Sequence, residues 1–202
     1  MDYYLFFTKI GDYLLKLSKA FDLLEKKKKE RLECIYDLCS ELFDDLIVVH
    51  SDYIQMFNDF DKQLCKGINP ALSHIKSRRL EFEPLRDKVQ TLIKAWADPT
   101  GLLGTKLSSV PPSVDLFFYR VLLYFPYHGL LHRNTFSSEI IDCIESGRLP
   151  HELAEDPNIA GATIEEKASK IVDWAMTATQ EKWSLVTVAY AEVRYAKAGL
   201  VK

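Results

Sequence analysis

From Ile10 onward the apolar residues of the chain recur at alternating steps of three and four. The series runs Ile10, Leu14, Leu17, Phe21 and Leu24, then Ile35, Leu38, Leu42, Leu46, Val49, Tyr53, Met56 or Phe57, Phe60 and Leu64. Such spacing is the seam of an amphipathic, coiled-coil-like helix. Charged residues interrupt it at Lys28 and Arg31, and it slips by one residue near Asp45. No proline or glycine lies between Asp12 and Lys66. Unbroken helix from Lys9 to Cys65 would be roughly 85 Å long, whereas a compact chain of this size is roughly 40 to 45 Å across. The helix must therefore protrude or break. The expected break is Val48-Val49-His50-Ser51-Asp52, where β-branched residues meet a candidate N-cap.

Gly67-Ile68-Asn69-Pro70 reads as a stop and restart, with Asn69 as N-cap and Pro70 in the first helical position. A second helix follows on Leu72, Ile75, Arg79, Phe82, Arg86, Val89, Ile93 and Trp96, with Pro84 dividing it. The short connection predicts an antiparallel hairpin. Spanning roughly 42 Å, the second helix would cover about half of the first.

Residues 98–113 are rich in Gly, Ser and Pro and read as a linker. Leu116 to Phe125 is apolar nearly all round and predicts a buried helix, because no second strand is in view to pair with it. A helix from about Phe136 to Ser146 ends at Gly147. Thr163-Ile-Glu-Glu166 is a capping box. It opens a last helix with Ile164, Ala168, Ile171, Ala175, Ala178, Lys182, Leu185 and Ala189 on one face and Gly199 at its end. The small residues of that stripe suit a closely packed neighbour, and Trp174, Trp183 and Tyr190 widen the apolar surface beside it. The expected architecture is all-α: an N-terminal helical hairpin over 1–97, a linker over 98–113 and a smaller C-terminal bundle over 114–202.

Bulk properties narrow the class. The 202 residues are 48% apolar and 27% charged, as in ordinary folded proteins. The net charge is −3, with 16 basic and 16 acidic residues up to Ala97 and 10 and 13 beyond it. Neither half has the basic excess of a nucleic-acid or anionic-membrane binder. The four cysteines show no CxxC spacing, and the start MDYYLFFTKIGD lacks the basic region of a signal peptide. Val114 to Leu131 is broken by Asp115, Arg120, Pro126, His128 and Gly129, which argues against a membrane span. A cytoplasmic location without membrane insertion is expected.

Candidate chemistry is sparse. His128 and His132 have the spacing of a helical ligand pair, but Pro126 and Gly129 disturb it and no acidic third ligand is close in sequence, so no metal or other cofactor is expected. His151-Glu152 lacks the second histidine of a zincin, and Gly101-Leu-Leu-Gly104-Thr-Lys106 has too few residues between its glycines for a phosphate loop. Arg120, His128, His132 and Arg133 remain as the set from which a hydrolase or nuclease site would be built. Lys26, Lys27, Lys28 and Lys29 are the weak candidates for nucleic-acid contact. Asp22 and Glu25 pair with Lys26 and Lys29 at i,i+4 and account for the run as a solvated helix face. Asp37, Glu41, Asp44 and Asp45 make an acidic stripe that would suit a basic partner.

The expected function is protein–protein association, by self-assembly or as an accessory subunit. Leu14, Leu17, Phe21 and Leu24 are the expected contact residues, because they lie beyond the reach of the hairpin's second helix. The alternative is an intracellular helical enzyme with a site near Arg120, His128 and His132.

Overall fold

Two helices of 37 residues each, α1 (Lys28–Leu64) and α5 (Ile164–Leu200), form the axis of the computed structural model. Between them in sequence lie α2 (Pro112–Tyr124), α3 (Phe136–Ser146) and the single turn α4 (His151–Ala154). Residues 68–78 are helical as well. The structure describes residues 28–78, 110–124, 136–155, 159 and 161–200, and among these all regular structure is helix, without a strand. The all-α class expected from the three-four spacing holds.

α1 runs straight through the expected break at Val48–Asp52. Ser51 does not turn outward to cap a new helix. Its hydroxyl donates to the Ile47 carbonyl at 2.9 Å, one turn back in the same helix. Local capping chemistry loses here because Val49 and Tyr53 are both buried, and only continuous helix keeps both on one side. Every residue of the series Ile35, Cys39, Leu42, Leu46, Val49, Tyr53, Met56 and Phe60 is buried. Its steps are four, three, four, three throughout. The slip near Asp45 disappears once Cys39, rather than Leu38, is placed on the row. Leu38 is also buried, as are Tyr36 and Phe57, so α1 buries more than a narrow stripe.

What covers this row is α5, lying antiparallel along it. Asp37 meets Lys197, Phe43 meets Tyr190, His50 meets Trp183, and Asp61 feels the charge of Asp173. The residue numbers of each pair add to 233 or 234, so one register holds along both helices. Within one or two residues of that register, the buried Leu46 and Phe60 of α1 lie near the height of the buried Ala189 and Ala175 of α5. Small side chains on α5 let the two helices approach, and the large ones of α1 fill the space between them.

The buried row of α5 keeps Ala168, Ile171, Ala175 and Ala189 of the expected stripe and adds Val172, Thr179, Val186 and Val193, while Ile164 and Leu185 are 51% and 43% exposed. Both series repeat every seven residues, and burial turns the row by one position, from Ala178 and Leu185 to Thr179 and Val186. Thr179 lies in this row with its hydroxyl donated to the Ala175 carbonyl at 2.8 Å, so no polar atom is stranded there.

The remaining elements close the bundle. Gly67 takes φ +115°, a conformation that glycine adopts without steric cost, and turns the chain at the end of α1. The following helix begins two residues earlier than expected, since Ala71 N–H donates to the Gly67 carbonyl. Pro70 thus falls in the first turn, where a missing N–H costs nothing. Arg78 pairs with Asp52 at 2.7 Å, which brings 68–78 back along α1. At α2, Val114 and Asp115 N–H donate to the Pro111 carbonyl, leaving Pro112 in the first helical position. Gly147 ends α3 at φ +68°. The capping box of α5 is formed: Thr163 N–H donates to Glu166 at 2.7 Å, and Glu166 N–H to the Thr163 hydroxyl at 3.2 Å. α2 and α3 both pack on α5, and one core joins α1, 68–78, α2, α3 and α5. Among the described residues, no helix is long and apolar enough to cross a membrane.

Candidate functional site

The shared register of α1 and α5 brings aromatic residues together on one flank. Phe43 stacks on Tyr190 at 3.9 Å between centroids and on Trp183 at 5.5 Å, with planes 14° and 7° apart. One turn pair further along, His50 stacks on Trp183 at 4.6 Å and 9°. α2 lies across this flank. Phe117 approaches Phe43 and Tyr190 at 6.4 and 5.7 Å, and Tyr124 meets Trp183 edge-on at 5.6 Å. Such pairs contribute about 0.5 to 1.5 kcal/mol each beyond the area they bury. The flank therefore sets where α2 sits.

One polar contact lies inside this wall. His50 Nδ1 and the Tyr124 hydroxyl are 2.9 Å apart, and Tyr124 is only 2% exposed. Burial lowers the His50 pKa below its ordinary value. Burial, and then the neighbouring Tyr53, push the Tyr124 phenol far above its own. Both groups are neutral at pH 7, so the contact joins a neutral imidazole to a neutral phenol. This pair could pass a proton, but a substrate would have to displace α2 to reach the phenol oxygen. Its evident role is to satisfy two polar groups where α1, α2 and α5 converge.

A second polar region lies near the Gly67 turn. Besides Arg78–Asp52, Lys62 pairs with Asp59 at 2.8 Å. The hydrogen bond from Lys62 is the main cause of the lowered Asp59 pKa. The Asp61 carboxyl is raised by burial first and then by the charge of Asp173 on α5. Asp52 Oδ2, Asp61 Oδ1 and His74 Nε2 are buried without a hydrogen-bond partner. These groups do not converge: among the described residues no three His, Cys, Asp or Glu side chains could hold a metal ion. A cavity between α3 and the start of α5, lined by Cys143, Arg148, Leu149 and Lys167 among others, encloses about 20 Å³. That is room for about one water.

The residues singled out from the sequence fare unevenly. Arg120 stands on α2, its guanidinium 5.8 Å from the Tyr119 ring centre. His128, His132 and Arg133 lie outside the described residues, as do Leu14, Leu17, Phe21, Leu24, Lys26 and Lys27. Lys28 and Lys29 open α1, and their side chains are likewise outside. In the acidic stripe, Asp37 takes Lys197 of α5 as a partner within the chain. All four cysteines are free thiols, with Cys39 buried and its pKa pushed up to about 12 by that burial.

Sequence reasoning missed His50 and Tyr124 as a pair. Seventy-four positions separate them, and no spacing rule links them. A signal did exist for half of the flank. Phe43 and His50 are seven apart on α1, as are Trp183 and Tyr190 on α5, which is the mark of two rows meeting beside paired seams. Compared with protein-family models, curated proteins and solved structures, the chain matches none of them.

Proposed function

We propose that the protein works by association, as a subunit that presents helix faces to other proteins in the cytoplasm. The observation that carries this is the outer row of α2. Leu116, Tyr119 and Leu123 are 38%, 51% and 39% exposed, at i, i+3 and i+7 on one side of a helix whose other side makes the aromatic flank. Large apolar side chains gathered on one exposed face mark contact surfaces more often than scattered ones do. The row α1 buries from Ile35 to Phe60 is already covered by α5, so it is spent within the chain. Contact with a partner falls to the α2 row and to Leu14, Leu17, Phe21 and Leu24, which extend the same repeat ahead of α1. Free thiols suit a reducing compartment. An enzyme site near Arg120, His128 and His132 gains no support from the geometry around Arg120.

Cross-linking of the full chain in extracts of its native cells, followed by mass spectrometry, tests the reading. Leu116→Glu with Leu123→Glu, and separately Leu17→Glu with Phe21→Glu, should leave the helical circular dichroism unchanged and remove specific partners. Wild type without partners, or partners kept by both variants, would end it.

A further inference from the structure

We draw no further inference here: the strongest candidate, the exposed outer face of α5 around Val188 and Tyr195, carries none, because nothing in the structure shows what covers it.

Discussion

The imidazole of His50 is bound at its edge by the Tyr124 hydroxyl, 2.9 Å from Nδ1, and at its face by the Trp183 ring, 4.6 Å away. One half-buried side chain of α1 thus ties down α2 and α5 together. Tyr124 is almost completely enclosed.

This contact makes stability depend on pH. Because burial lowers the His50 pKa, the folded state favours neutral imidazole, while the unfolded chain takes up a proton near pH 6.5. The unfolded state then binds more protons in that range, so stability rises with pH there. The contribution is fully present above about pH 6.5 and is lost as the pH falls through that value towards the folded pKa. Urea midpoints measured from pH 8 to pH 5 should fall for wild type. The fall should be smaller for His50→Gln, which keeps a hydrogen-bonding side chain without a charge to gain. Equal falls in the two proteins would remove His50 from the account.

Trp183 touches Phe43, His50 and Tyr124 at once. Trp183→Ala should cost about 3 kcal/mol, the lower end for losing a large aromatic because this one is only partly buried. Near-ultraviolet circular dichroism should fade while the far-ultraviolet helix signal persists, since the main core row of α1 and α5 is untouched. A loss under 1 kcal/mol by urea denaturation, using about that value as the bound for a surface site, would show the flank to be ornamental.

Much of this arrangement could be read from the chain, and the misses have identifiable causes. Ile35 to Phe60 was legible as one buried row because apolar residues recur without a helix breaker. Leu38 and Cys39 are adjacent and both buried, and placing Leu38 on the row is what produces the apparent slip. The expected break near His50 gave weight to local propensity, which tertiary burial of Val49 and Tyr53 overrides. On α5 two rows one position apart both repeat every seven residues, and the spacing alone does not say that burial takes Thr179 and Val186 rather than Ala178 and Leu185. The His50–Tyr124 contact had no local trace at all. It follows from where α2 lands on two helices already paired, which no window along the sequence contains.

The cysteines should separate by reactivity. Cys39 sits on the buried row with its pKa pushed up to about 12, whereas Cys34 and Cys65 are exposed. Thiolate is the reactive form, and burial denies Cys39 both the charge and the access. Alkylation of native protein at pH 8, mapped by mass spectrometry, should label Cys34 and Cys65 quickly and Cys39 only after denaturant is added. Prompt labelling of Cys39 would mean that α1 and α5 part readily along their seam.

Asp61 should show the opposite pH sign to His50. Its carboxyl is raised first by burial and second by Asp173 across the helix pair. A carboxyl whose folded pKa lies above its unfolded value, near 3.9, binds its proton more tightly when folded. Stability from this site is therefore greatest at low pH and is lost as the pH climbs through the folded pKa. At pH 7 the charged Asp61 is a liability, with one carboxylate oxygen buried and unpartnered. Asp61→Asn removes the charge at almost constant shape, so it should stabilise the protein at pH 7 and lose that advantage by about pH 3, where aspartic acid is neutral as well. Asp173→Asn should give a smaller gain, because it removes only the second cause. Added salt should narrow the Asp173 effect more than the Asp61 effect, as repulsion between partly exposed charges is screened and desolvation is not. The check is the urea midpoint of wild type and both variants at the two pH values, with and without salt. If Asp61→Asn destabilises at pH 7, the buried oxygen has a partner in solution that the carboxylate needs, and α1 and α5 are held together there rather than strained.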